Sequence, residues 1–128
     1  MVTVKKVIIA GPRDIKITDY KKERYFDKLK KICATYQTKI EIVEGGAKGI
    51  DALAKEFAKY YNLSLREFPA DWNQYGKSAG PIRNKQMAEY ADVLIAFRYK
   101  SNPSKGTENM IKTAMNLGLD IHIISLPM

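Results

Sequence analysis

Residues 40–51 read IEIVEGGAKGID, and this stretch decides the fold. Residues 40–44 alternate around β-branched side chains, which reads as a short buried strand, and Gly45-Gly46 stops it. Directly beyond, Ile50, Leu53, Ala54, Phe57, Ala58 and Tyr61 fall at the spacing of one helical face. A strand, a glycine turn and a helix in succession are the repeating piece of a parallel α/β sheet.

The same piece recurs on both sides. Toward the N-terminus, residues 2–10 form a β-branched run that ends at Gly11-Pro12, and Tyr25, Phe26, Leu29, Ile32, Cys33 and Tyr36 mark the apolar stripe of a helix. Toward the C-terminus, residues 63–68 alternate as a third strand before Pro69, and residues 70–80 are a polar loop. Pro81 suits the first turn of a third helix, whose apolar face is Ile82, Met87, Tyr90 and Ala91. Residues 92–97 are a fourth buried strand, with Arg98 following it. After Asn102-Pro103-Ser104 comes a fourth helix with Met110, Ile111, Ala114 and Met115 on one side and Gly118 as its stop; residues 121–124 close a fifth strand. The expectation is one α/β domain over residues 1–128: a Rossmann-like three-layer fold with about five mostly parallel strands and helices on both faces.

Composition narrows the functional classes. A chain of 128 residues buries enough surface for a core without disulfides or structural metals. Its one cysteine, Cys33, and one histidine, His122, cannot assemble a zinc site from Cys and His, so no metal and no resident cofactor are expected. Cys33 reads as a buried hydrophobe, His122 as an edge-strand residue, and a reducing cytoplasm as the natural setting. No apolar run approaches the roughly 18–20 residues of a membrane span. The net charge of +8 raises the question of nucleic acid. Between Lys16 and Lys39, however, eight Lys or Arg stand against three Asp or Glu, so most of the excess lies on or beside the first helix, on the face opposite its apolar stripe. That placement makes nucleic acid the lesser partner.

In an open parallel sheet, ligands bind outside the carboxyl ends of the strands. The residues expected there are Gly11, Arg13 and Asp14 after the first strand, and Gly45, Gly46, Lys48, Gly49 and Asp51 after the second. Asp71 and Trp72 follow the third, Arg83 and Asn84 open the next helix, and Lys105, Gly106 and Thr107 open the last. Two readings of residues 45–51 stay open. Paired glycines can expose consecutive N–H groups as a phosphate cradle, with Gly49 admitting a ligand to the backbone and Asp51 accepting from ribose hydroxyls. Alternatively, the segment is a tight strand-to-helix turn with Asp51 stabilising the helix start. Gly106 and Thr107 are either anion contacts or part of an ordinary cap made by Thr107 or Ser104. Trp72 and Tyr75 could form a lid that stacks on a base, or simply cover the core, and Arg83 could pair with phosphate. Acid-base chemistry would fall to Asp14, Asp51, Asp71 or Glu108.

These residues carry a resemblance. Gly11-Pro12-Arg13-Asp14, Gly45-Gly46-Ala47-Lys48-Gly49-Ile50-Asp51, Phe68-Pro69-Ala70-Asp71-Trp72, Ala79-Gly80-Pro81-Ile82-Arg83-Asn84 and Lys105-Gly106-Thr107 together resemble the SLOG superfamily, the Rossmann-like group that includes DprA and the LOG enzymes. The nearest branch is the YspA/YpsA-related one, which usually carries Ser where Pro12 stands. The resemblance implies a phosphorylated nucleotide-derived ligand, such as an ADP-ribose or NAD-like molecule or a nucleoside phosphate, that is bound or sensed, in some relatives in bacterial or phage defence. It also implies a homodimer. A LOG-like N-glycosidase acting on nucleoside monophosphates is the alternative, with Arg83, Asp51 and Glu108 as candidate catalytic residues; DprA-like single-strand DNA binding is the second alternative. Of the LOG motif only Gly106-Thr107 matches, and its Glu position is occupied by Ile111 or Met110.

Overall fold

The computed structural model describes residues 3–128. Five strands form one fully parallel sheet in the order β3-β2-β1-β4-β5. In chain order the elements are β1 (Val4–Ala10), α1 (Asp19–Ala34), β2 (Lys39–Glu44), α2 (Ile50–Tyr60) and β3 (Ser64–Glu67). Then come α3 (Trp72–Tyr75), α4 (Ala79–Tyr90), β4 (Val93–Tyr99), α5 (Lys105–Asn116) and β5 (Asp120–Leu126). The expected first strand included Val2, which lies outside the described residues.

The chain winds outward from β1 to β3, returns across the sheet and winds the other way to β5. Right-handed crossovers therefore put α1 and α2 on one face and α4 and α5 on the other. Alternation along the central strands serves both layers. Val7, Ile9, Val93, Ile95 and Phe97 pack with Tyr25, Leu29 and Phe57 on one side. Ile8, Ala10, Leu94 and Ala96 pack with Met87, Met110 and Ala114 on the other. Cys33 is buried, as its place on the apolar stripe implies. Among the described residues no helix is long and apolar enough to cross a membrane.

Two expectations change. The stretch 70–80 is not an irregular loop: Asp71 caps α3 by accepting from the Gln74 N–H at 3.1 Å, a 3₁₀ turn spans Gly76–Ser78, and α4 already begins at Ala79. Polar, turn-forming side chains conceal the helical turn because one capped turn leaves no apolar periodicity. The fourth strand runs on to Tyr99, so Arg98 lies within it rather than after it.

Candidate functional site

A cleft of about 620 Å³ opens at the carboxyl end of the sheet, where β1 and β4 wind apart. Ala10, Met87 and Met110 contribute apolar lining; the glycine turn after β2, the start of α5 and the α3–α4 segment form the walls. Its volume suits a nucleotide-sized molecule. Four cations, Arg13, Lys77, Arg83 and Lys105, line it against one carboxylate, Asp51.

The glycine turn is built as a support. The Gly46 N–H donates to Glu44 Oε1 at 2.6 Å, and the Ala47 N–H donates to Asp51 Oδ2 at 3.1 Å. Both donors that a phosphate would need are therefore taken by the chain's own carboxylates. Gly49, at φ +69°, sits where a Cβ would fall 2.7 Å from the Arg13 carbonyl oxygen, and the Ile50 N–H donates to the Pro12 carbonyl at 3.2 Å. What approaches Gly49 is the β1–α1 loop, so its lack of a side chain serves the joining of two loops. Gly11 likewise packs on Ile50, where a Cβ would come within 2.5 Å of its side chain. Residues 45–51 thus form a tight turn in which Asp51 accepts from the Ala47 N–H.

Arg83 holds the other side of this turn. Its guanidinium donates to the Gly45 carbonyl, to the Phe68 carbonyl at 3.4 Å and, through Nε, to Asn84 Oδ1 at 3.1 Å. Gly45 makes room for it, since a Cβ there would lie 2.7 Å from Arg83 Cζ. Burial pulls the Arg83 pKa down and nearby Asp51 pulls it back up. Burial pushes the Asp51 carboxyl up; the Ala47 N–H, Arg83, the Gly45 N–H and Arg13 oppose that. Asn84 is buried and ties α4 to α5, donating to Asn109 Oδ1 at 2.9 Å and to the Gly106 carbonyl at 3.3 Å.

The start of α5 differs from the glycine turn. Ser104 stands at the N-cap position, yet its side chain makes no capping hydrogen bond. Thr107 is 4% exposed, and its Oγ1 is buried without a partner. Thr107 and its neighbours Ser104, Lys105 and Gly106 all line the cleft. An uncapped helix start thus borders the cleft with Lys105 beside it, and the unpartnered Thr107 hydroxyl lies buried just behind that start.

The remaining expected site residues are placed elsewhere. Asp14, Lys48, Gly49 and Asp71 do not line the cleft, and Asp71 is engaged as the α3 cap. Glu108 accepts from Arg98 Nη2 at 2.6 Å and is also absent from the lining. Trp72 is half exposed and lines the cleft mouth, with Gly80 beneath its ring edge. Among the described residues no cluster of three His, Cys, Asp or Glu side chains could hold a metal ion.

Sequence reasoning missed Glu44, which is 1% exposed at the end of β2. Burial pushes its carboxyl up to about 8; a hydrogen bond to Glu67 acts in the same direction, and the Gly46 N–H opposes. Glu67 is its register partner on β3, so the two acids share one face, where their mutual repulsion favours a protonated Glu44. The signal was hidden because the third strand reads through to Phe68 in the sequence, whereas β3 ends at Glu67 beside the end of β2. The folded chain binds this proton more tightly than the unfolded chain, so the contribution is most favourable below the ordinary value of 4.5 and is lost as pH rises toward about 8. Glu44→Gln keeps an acceptor for Gly46 and a donor for Glu67. It is expected to shrink the fall in Tm between about pH 5 and about pH 8; an unchanged fall in thermal unfolding would remove Glu44 as its source.

Comparison with known proteins follows this geometry. The family described as YAcAr (YspA, cpYpsA-related SLOG family) matches residues 5–75, more than half of the chain. Gene 61 protein of Mycobacterium phage D29 is 34% identical over 86 residues, covering 62% of this chain and 67% of the phage protein. DNA processing protein A (DprA) from Streptococcus pneumoniae superposes with a TM-score of 0.68 at 19% identity, over 93% of this chain and 50% of that one. The present chain thus spans half the length of that protein. The structural-genomics protein TM1055 superposes with a TM-score of 0.67 at 15% identity, over 91% of this chain and 72% of the other. At such identities the two solved structures establish the shared fold.

Proposed function

The chain belongs to the YspA, cpYpsA-related SLOG family, and from that premise we propose that its cleft binds a phosphorylated, nucleotide-derived ligand with the phosphate at the start of α5. The observation that carries this reading is the buried, unpartnered Thr107 hydroxyl at an uncapped helix N-terminus. Such a hydroxyl costs stability unless something donates to it or accepts from it, and a phosphate oxygen is the acceptor this charge environment favours. Lys105, Lys77 and Arg13 are exposed, line the cleft and make no ion pair among the described residues. They supply the screening that a mono- or diphosphate needs. Asp51 and the carbonyl-bearing glycine turn face the sugar hydroxyls, and Trp72 stacks on the base.

Binding or sensing is favoured over hydrolysis. Glu108 pairs with Arg98 through one oxygen and lies outside the cleft lining, and Asp51, the carboxylate in that lining, already accepts from the turn. A long polyanion is also the poorer ligand, because much of the basic excess lies on or beside α1, between Lys16 and Lys39, and none of those residues lines the cleft.

Isothermal titration with ADP-ribose, NAD, AMP and adenosine tests the reading. Thr107→Val keeps shape and removes the hydroxyl. Affinity for the phosphorylated ligands is expected to fall roughly 10- to 100-fold, as for a lost hydrogen bond to a charged group, while adenosine binding and Tm hold or rise. Equal losses for adenosine and AMP, or no binding of any phosphorylated member, would overturn it.

A further inference from the structure

We propose that a second groove, between α1 and the open edge of β5, binds an extended acidic polypeptide segment that joins the sheet as a sixth strand. Among the described residues β5 ends the sheet and pairs only with β4, so one row of its backbone N–H and C=O groups has no strand partner there. Beside it lies a groove of about 740 Å³. Its lining includes His122, Ile123, Ile124 and Ser125, consecutive residues whose side chains alternate between the two faces of the sheet. Both sets meet the groove, so the wall is the strand's edge rather than either face.

The opposite wall is basic. Arg24, Lys28 and Lys31 lie on one side of α1 and line the groove; all three are exposed, and none forms an ion pair among the described residues. The acid at the near end, Asp120, is engaged by Tyr36 and by His122 at 3.5 Å. Arg24 and Lys28 are four residues apart, about 6 Å along the helix axis. Alternate residues of an extended strand repeat at about 6.6–6.8 Å. A segment with an acid at every second position therefore sets successive carboxylates opposite successive cations on the α1 face, while its alternate apolar residues point to the other face beside the exposed Ile123.

This chemistry selects among occupants. A second copy of the chain would bring a like-charged groove against this one. A single-stranded nucleic acid would match the charge but leave the backbone edge unused, and the lining holds no Phe, Tyr or Trp on which bases stack.

The test uses a fluorescein-labelled decapeptide of alternating Glu and Val, with a Lys-Val decapeptide and dT10 as controls, read by anisotropy on the whole chain. The acidic peptide is expected to bind and to weaken with added salt. Lys28→Glu combined with Lys31→Glu should cost at least tenfold in affinity while leaving nucleotide titration in the cleft unchanged. The same peptide N-methylated at alternate residues keeps its charge and loses strand pairing, so its binding should disappear. The proposal is overturned if the methylated peptide binds equally, if dT10 binds as tightly, if ultracentrifugation shows a dimer that the charge reversals disrupt, or if the acidic peptide does not bind.

Discussion

Replacing Gly49 by alanine is expected to lower the Tm by roughly 10–15 °C, about 3 kcal/mol for a domain of this size. Two separable costs combine. A side chain at φ +69° and ψ −122°, outside the left-handed helical region, carries about 1–3 kcal/mol of backbone strain. The new Cβ must also push the Pro12 and Arg13 carbonyls away, and overpacking against backbone costs about 1–3 kcal/mol more. Gly118 provides the internal control: its φ is +76°, and a methyl group added there would meet nothing within 4 Å. Gly118→Ala should therefore lose only the strain contribution. Calorimetry that finds the two substitutions equally damaging would mean that the contact between the two loops contributes nothing.

The second large effect is expected at Arg83. Arg83→Met leaves the Gly45 and Phe68 carbonyls without this donor and removes the cation beside the buried Asp51. Leaving partly buried carbonyls without a charged donor costs about 1.5–3 kcal/mol. Removing Arg83 also takes away an influence that holds the Asp51 carboxyl down, so its pKa rises further above the unfolded value. Stability of the variant should then fall more steeply as pH rises. Asp51→Asn in the same chain should restore part of the loss, because the uncompensated charge is gone. Denaturation of the two single variants and the double variant measures this coupling. Strict additivity would show that the two residues act independently.

Much of the architecture was legible because the relevant signals are local. Each long helix carries its own apolar stripe, and each strand stops at a glycine, proline or polar turn, as 40–51 illustrates. Right-handed connection then leaves few sheet orders. The α3 turn escaped because its signal is one Asp71 cap among residues that equally suit a loop. The cleft was legible as a neighbourhood, since strand ends gather by topology. The division of labour inside it was not. Whether Gly46 and Ala47 offer their N–H groups to a ligand depends on where Glu44 and Asp51 turn, and Glu44 lies beside Glu67 of the adjacent strand. Such a choice is made across the sheet and leaves no periodicity in the chain.

The joining of the β1–α1 loop to the start of α2 bears on kinetics. With Gly49 pressed on the Pro12 and Arg13 carbonyls and Ile50 bonded to Pro12, this wall of the cleft cannot swing independently of the core. The opposite wall is the short α3 and its following turn, none of whose residues is buried. Ligand exchange must then run through the Trp72 side. Substitutions at α3 are expected to change residence time with little change in the fold, whereas those at the glycine turn lower the stability of the whole domain. Speed of release and permanence of the pocket are thereby assigned to different segments of the chain.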